Sequence, residues 1–335
     1  MKVVIPGGSG QIGTILARAF YADGVDVVVL SRHPETRPWR VVAWDGATLG
    51  DWHHEIDGCD VVINLAGRSV NCRYTPANRR EILTSRVRST RVVGQAMARS
   101  KRPPRLWLQA STATIYAHRY DAPNDEYTGL LGGNESDAPS SWRFSIDVAR
   151  AWEQAFEESV VSRTRKVALR SAMTLSPDRG GVFDTILGLA RRGLGGRAGD
   201  GRQYMSWIHH EDFVAAIRWL IDREDVSGVV NVASPHPIPN AQFMATLRQA
   251  CGVPFGLAAD TWMLEFGAFF MRTETELILK SRRVVPARLL EGGFIFRYPD
   301  WGGAARNLCD ATTGRLYPSS EWRGRQLGRS SRPLP

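Results

Sequence analysis

Lys2-Val3-Val4-Ile5-Pro6-Gly7-Gly8-Ser9-Gly10-Gln11-Ile12-Gly13 runs from an apolar strand through closely spaced glycines into a helix. Lys2 to Ile5 reads as a buried strand, and Ile12, Ile15, Leu16 and Phe20 recur at helical spacing. Gly7 can take a tight turn with no Cβ clash. Gly10 leaves room for backbone N–H groups to approach a pair of phosphates, and Gly13 lets the helix lie close on the strand. Together with Gly8, Ser9, Gln11 and Ile12 they form a predicted anion cradle, to which the helix N-terminus adds partial positive charge. In this strand–turn–helix setting, the anion that fits is the pyrophosphate of a dinucleotide.

Outward from that turn, strands and helices alternate. Asp26 to Leu30, Val41 to Trp44, Asp60 to Leu65, Arg105 to Ala110, Lys166 to Arg170 and Val229 to Ala233 read as strands. Ala77 to Arg99 and Ile146 to Glu157 read as helices, the second placing Ile146, Ala149, Trp152 and Phe156 on one face. Such alternation predicts an α/β fold, a doubly wound parallel sheet with helices on both faces. From about Ser176 glycines punctuate a loop-rich, substrate-side insertion (176–210) around a helix from Val182 to Arg192. Asp212 is expected to open the next helix, and Asn240 to cap another that carries Phe243 and Leu247. The expected organisation is a nucleotide-binding domain over 1–240, a small, mainly helical lobe over 241–310, and a disordered basic tail over 311–335.

The second strand decides between cofactors. An acid at its end would hold the ribose 2′-hydroxyl of NAD. Here Asp26 stands at the wrong end, and the strand closes on Ser31-Arg32-His33. Arg32 can pair with a 2′-phosphate and the Ser31 hydroxyl can assist, so NADP is expected over NAD.

The glycine loop, the strand end Asn64-Leu65-Ala66-Gly67 and the run Ser111-Thr112-Ala113-Thr114-Ile115-Tyr116 resemble an extended short-chain dehydrogenase/reductase. Further passages narrow the likeness: Ser85-Arg86, Trp152-Glu153, Gly195-Gly196, and Gly199-Asp200-Gly201-Arg202-Gln203-Tyr204 running into Trp207-Ile208-His209. Asn240 with Phe243, and Arg283-Val284-Val285-Pro286 with Gly293-Phe294, extend it. These are similar to the epimerase family proteins that carry a C-terminal domain of unknown function, over about residues 1–308. The resemblance implies an NAD(P)-binding Rossmann fold with Leu65, Ala66 and Gly67 along the cofactor's ribose and phosphates. It also implies cofactor contacts at Glu81 and Arg86, although a solvated helix face with a local ion pair accounts for that pair as well.

That superfamily's usual chemistry needs a Tyr and a Lys four residues apart on one helix, and a Ser or Thr nearby to orient the substrate. Thr112 fits the last of these. Counting back from Glu153 puts Ala149 at the Lys position and Ser145 at the Tyr position; a slip of one residue gives Val148 and Phe144. The only lysines are Lys2, Lys101, Lys166 and Lys280, and none follows a Tyr at the fourth place. The pair is absent. A proton would then come from Tyr116, Tyr204, His209, His210, the substrate or water. Two functions stay open: an NADP-dependent oxidoreductase or epimerase on a small substrate, and a non-catalytic NADP(H) binder that senses redox state.

Composition sets the outer limits. At 335 residues, 43% hydrophobic and 23% charged, the chain can bury a sizeable core. It has no run long and apolar enough for a membrane span and no secretory leader, so a cytoplasmic protein is expected. The net charge of +9 is split between +4 in residues 311–335 and +5 over the rest. With no nucleic-acid-reading motif, no nucleic-acid partner is expected. A homodimer is left open, and no metal site is read. Cys59, Cys72, Cys251 and Cys309 show neither CxxC nor metal-ligand spacing and are expected as packing thiols in a reducing compartment.

Overall fold

The structure, a computed structural model, describes residues 1–136, 138–260 and 276–313. Chain order begins β1 (Lys2–Pro6), α1 (Gln11–Ala22), β2 (Asp26–Ser31), β3 (Arg40–Ala43), β4 (Val61–Asn64), α2 (Pro76–Arg99), β5 (Leu106–Thr112), α3 (Arg143–Glu157) and β6 (Arg165–Ser171). Then follow β7 (Met173–Leu175), α4 (Val182–Leu189), β8 (Tyr204–Met205), β9 (Trp207–His209), α5 (His210–Asp222), β10 (Gly228–Val232), β11 (Ile238–Pro239) and α6 (Asn240–Ala250). The last described stretch holds α7 (Glu276–Leu279), α8 (Ala287–Glu291) and α9 (Trp301–Thr313). The expected basic tail lies, from residue 314 on, outside the described residues.

Seven parallel strands form one sheet in the order β10-β6-β5-β4-β1-β2-β3. The order reverses between β1 and β4, which makes their C-terminal ends the switch point where such sheets bind ligands. Side chains alternate across the pleat, so each strand feeds two cores. Val3, Ile5, Val29, Ile63 and Leu108 face α1 and α5, packing with Leu16, Phe20, Phe213 and Ile217. Val4, Val28, Val62 and Trp107 face the other way, toward Val93 and Ala96 of α2 and Phe156 of α3. The architecture is the expected doubly wound α/β sheet with a smaller helical C-terminal region.

A third core belongs to that region. Phe183 and Leu187 of α4, Trp207 of β9, Phe243 and Leu247 of α6, and Trp301 and Leu308 of α9 are buried together. The Phe243 and Trp301 rings stack with centroids 4.0 Å apart. Elements on both sides of residue 240 therefore share one interior. Here the cysteine expectation is corrected. Cys59 is a buried free thiol, but Cys251, at the end of α6, and Cys309 of α9 form a disulfide. The two are separated by 58 residues in sequence, and only the packing of α6 on α9 brings them together.

Two helix starts also differ from expectation. The cap of α5 is His209, whose Nδ1 accepts the Glu211 N–H (3.2 Å), so the helix opens ahead of Asp212. The Asp212 carboxylate instead accepts the backbone N–H groups of Arg297 and Tyr298 at 2.7 and 2.9 Å. Asn240 makes no cap; its Oδ1 accepts the Ala198 N–H at 2.8 Å and ties α6 to the insertion. In both cases a distant backbone claims the side chain that local spacing assigned to a cap.

His209 is fully buried, and burial, with His210 beside it, lowers its pKa to about 3. Unfolded, it titrates near 6.5, so between those values the unfolded chain binds the extra proton. Stability is therefore full above about pH 6.5 and falls as the pH drops. His209→Asn, which keeps a capping oxygen, should flatten the loss seen in urea titrations between pH 6 and 4 by on the order of 1 kcal/mol per pH unit. A slope identical to that of the parent protein would refute this account.

Candidate functional site

At the switch point the backbone itself is the candidate binding surface. Gly7 has φ +74°, and a Cβ there would lie 2.6 Å from the Ala66 Cα. A Cβ on Gly13 would lie 2.6 Å from the Gly8 carbonyl carbon. Both glycines are required by close approach. Gly10 differs: a Cβ there would meet nothing nearer than the Gly7 oxygen at 3.8 Å. Space is therefore open in front of α1. Thr14 donates to the Gly10 carbonyl (2.9 Å), and the amides at the start of α1 have no intrahelical acceptor. No side chain caps this helix and no acid lies in its first turn. Ser9 and Gly10 are exposed at the mouth, and Ile12 packs inward. Gln11 donates through Nε2 to the Ser176 hydroxyl (3.2 Å), joining the cradle to the loop ahead of α4. An uncapped helix end facing open space fits a pyrophosphate.

The end of β2 lies beside it. Ser31 is buried, and its hydroxyl both donates to the His33 carbonyl (3.0 Å) and accepts the His33 N–H (3.2 Å). This turn presents Arg32 to solvent with no ion-pair partner among the described residues. A cleft next to it is lined by Gly8, Ser9, Ser31, His33, Arg37 and Trp39. Arg37, which sequence reasoning passed over, carries a second guanidinium there, paired with Glu35 at 2.7 Å.

The third wall is the strand end Leu65-Ala66-Gly67. Asn64 is buried and holds it in place, donating to Gln109 Oε1 (2.9 Å) and accepting the Ala66 N–H (3.2 Å). Arg86 lies behind this wall. It donates to the carbonyls of Arg68 (3.0 Å) and Ile82 (2.9 Å), and its guanidinium stands 4.9 Å from the Trp152 ring. Burial brings its pKa down to about 10, against the pull of Tyr74. Glu81 is exposed on α2 and pairs with Arg68. The two residues thus brace the 64–68 segment from opposite sides, Arg86 from within and Glu81 from the surface.

Next along the sheet comes the end of β5, the side that the resemblance assigns to substrate. Thr112 ends the strand, half-buried, its hydroxyl accepting the Thr114 N–H (3.2 Å). Beneath it runs a buried polar chain. Ser111 donates to Glu153 (2.5 Å), and Glu153 takes two bonds from Arg170 (2.9 and 2.8 Å). Arg170 donates to the Tyr116 hydroxyl (3.0 Å), which donates to Asn231 Oδ1 (2.9 Å). Burial alone would lower Arg170, but its bonds to Glu153 hold it above its ordinary value. Burial raises Tyr116, against the nearby Arg170. Its hydroxyl is committed to the sheet and is not presented to a substrate.

The other proton sources weighed from sequence stand as follows. His209 uses both ring nitrogens, Nδ1 as the helix cap and Nε2 toward Asn307 Oδ1 (3.1 Å). His209, His210 and Glu211 bring ligand atoms within 4.8 Å of one another, but no lone pair of His209 is left for a metal. Burial lowers His210 to about 4, against the charge of Asp178. Tyr204 lies under the Arg283 guanidinium at 4.6 Å.

Sequence reasoning missed the residues that the C-terminal region brings to this edge. Ser145 of α3 donates to Glu276 (2.5 Å). Lys280, almost fully buried, donates to the Thr114 carbonyl (2.8 Å), and burial with Arg282 nearby lowers it to about 8. Arg282 Nε donates to the Thr114 hydroxyl (3.3 Å). Separations of 131 to 168 residues leave no local signal for any of these.

Comparison with known proteins agrees with this fold. Residues 3–233 match the NAD dependent epimerase/dehydratase family, and residues 261–308 match a domain of unknown function, DUF1731. The epimerase family protein SDR39U1 of Bos taurus is 30% identical over 313 residues, which is 92% of this chain and 99% of that protein. Epimerase family protein MW0731 of Staphylococcus aureus is 28% identical over 309 residues, 92% of this chain and 98% of its own. Among solved structures, human epimerase family protein SDR39U1 with NADPH superposes with a TM-score of 0.81 at 28% identity, over 92% of this chain and 99% of that one. A nucleoside-diphosphate sugar epimerase from Corynebacterium glutamicum does so at 0.72 and 25%, over 99% of this chain and 62% of that one.

Glu153 and Arg170 form a largely buried ion pair at 2.8 Å behind the end of β5. Glu153→Gln should strand a buried guanidinium and cost roughly 3–5 kcal/mol of unfolding free energy by urea titration. A loss under about 1 kcal/mol, the range of exposed pairs, would show that solvent reaches the pair.

Proposed function

The chain belongs to the NAD dependent epimerase/dehydratase family, and from that premise we propose that it is an NADP-dependent oxidoreductase or epimerase acting on a small molecule. One observation carries the reading. The uncapped start of α1, with no acid in its first turn, opens onto a space that Gly10 leaves clear, and Arg32 stands at the end of β2 where an NAD-selective site places an acid. The relative crystallised with NADPH supports the choice of NADP. The expected setting is the cytoplasm; among the described residues no helix is long and apolar enough to cross a membrane.

A bound dihydronicotinamide supplies a hydride to a substrate carbon. The residues of the chain do the rest. The amides at the start of α1 hold the pyrophosphate, Arg32 meets the 2′-phosphate, and Leu65 to Gly67 line the ribose side, with Asn64 and Arg86 keeping that wall in place. Thr112, at the end of β5, orients the substrate oxygen. Hydride transfer gains from exclusion of water, to which the C-terminal region at this edge contributes.

A second reading, a non-catalytic NADP(H) sensor, draws on Ser145 and Ala149 standing where the family resemblance calls for Tyr and Lys. It requires the two redox forms to bind with different affinities and every carbonyl probe to go unreduced.

Gly10→Asp separates binding from folding. Asp is a favourable N-cap, so α1 should be stabilised while the carboxylate repels the pyrophosphate. NADPH fluorescence titration should show at least a ~100-fold loss of affinity with no drop in melting temperature, about the worth of two charge-assisted bonds. Arg32→Glu should lower the NADPH-to-NADH affinity ratio by ~10-fold or more. An unchanged ratio would remove the case for NADP.

A further inference from the structure

The turn that follows β5 is held by the C-terminal region as well as by its own backbone. Ala113–Ile115 make a single turn of 3₁₀ helix, closed by a long bond from the Tyr116 N–H to the Ala113 carbonyl (3.3 Å). Turns of this kind have poor hydrogen-bond geometry. Ala113 and Ile115 are buried with Ala149 of α3 and with Val284, which fixes the two flanking positions. Thr114, between them, is bound from outside. Its carbonyl accepts from Lys280 Nζ (2.8 Å) and its hydroxyl from Arg282 Nε (3.3 Å). Thr114 in turn donates its N–H to the Thr112 hydroxyl oxygen (3.2 Å). A hydroxyl has one hydrogen to give. That of Thr112 meets no acceptor among the described residues, so it is left for a ligand.

Lys280 is 1% exposed, and among the described residues Thr114 is the acceptor of one of its three N–H groups. The charged groups that act on it are Arg282 and Glu276 from its own stretch and Glu135 from the segment ahead of α3. Ser281, next in the chain, is fastened to the segment after β5. Its N–H goes to His118 Nδ1 (2.8 Å) and its hydroxyl to the Arg119 carbonyl (2.9 Å). The ammonium and the neighbouring main chain are thus both tied to residues 114–119.

We propose that Lys280 is a positioning residue for the reaction: together with Arg282 it holds the 112–115 turn so that the Thr112 hydroxyl gives its hydrogen to the substrate oxygen. The inference rests on the NADP-dependent reading above, and it makes the C-terminal region part of the reaction site. In carbonyl reduction the substrate carbon takes a hydride from NADPH, leaving NADP. The π electrons pass to the substrate oxygen, which then takes a proton from water. A donor fixed in advance at that oxygen favours the charged state, because nothing has to reorganise as the charge develops. Burial, with Arg282 nearby, lowers Lys280 to about 8, against Glu276 and Glu135. Above that pH the neutral amine holds the Thr114 carbonyl more weakly.

The first readout needs no substrate. Lys280→Met keeps a similar volume without the charge and should fold. Hydrogen exchange at the Thr114 amide, followed by NMR, should quicken about 10-fold or more in that variant while the amides of β1 keep their rates. An unchanged Thr114 rate overturns the proposal. With 9,10-phenanthrenequinone and 4-nitrobenzaldehyde as carbonyl probes, Lys280→Met should lower kcat about 10-fold or more, with NADPH affinity within about twofold of the parent. In Thr112→Val, which has no hydroxyl to aim, the same lysine substitution should change kcat by no more than about twofold; losses that multiply overturn the assignment. The parent's kcat should fall as the pH rises through about 8, and that step should vanish in Lys280→Met. A level profile, a step that survives the substitution, or a parent that binds NADPH yet reduces neither probe likewise overturns it. Absence of NADPH binding by the parent would instead sink the NADP reading, whatever the lysine does.

Discussion

Everything at the site depends on how closely α1 approaches the ends of β1 and β4. Gly7 adopts a left-handed backbone because Ala66 occupies the space that a side chain would need, and Gly13 lies against the Gly8 backbone for the same reason. These contacts put the start of α1 directly over the point where strand order reverses. Were α1 to stand off by the width of a methyl group, the amides would no longer converge with the Leu65–Gly67 wall. Among the described residues nothing neutralises this helix end: α1 has neither a capping side chain nor an acid in its first turn to compete with a ligand.

The opposite strategy governs the ends of β5, β6 and β10. There, polar groups are buried in hydrogen-bonded chains, Ser111–Glu153–Arg170–Tyr116–Asn231 among them. Because each donor meets an acceptor, the chain holds β5, β6 and β10 in register with α3 at little cost in unsatisfied groups. Such a network is rigid, which is why Tyr116, although at the end of the right strand, makes a poor proton donor.

What could be read in the sequence follows from how far each signal reaches. Strand and helix alternation, the glycine cradle and the Ser31-Arg32 strand end are encoded within a few residues of one another, and the fold class stood as read. The caps at Asp212 and Asn240 misled because a capping residue is defined by local spacing, while both side chains are taken by backbone from other elements. Cys251 and Cys309 gave no pattern because the packing of α6 on α9 decides their pairing. Lys280 and Arg282 were invisible in the same way. Each is an ordinary residue in its own stretch and becomes informative only beside Thr114.

Ser145 and Ala149, where the resemblance places Tyr and Lys, both lie against the C-terminal region. Ala149, at the Lys position, is fully buried with Ala113, Ile115, Tyr116 and Val284, so a small side chain there is what lets the C-terminal region press against α3. Ser145, at the Tyr position, is short enough to leave room for Glu276, to which it donates. Restoring either long side chain without moving that region would meet occupied space, and overpacking of this kind typically costs about 1–3 kcal/mol. The short side chains of Ser145 and Ala149 are thus matched by residues some 130 positions away: Glu276, which accepts the Ser145 hydroxyl, and Val284, buried with Ala149.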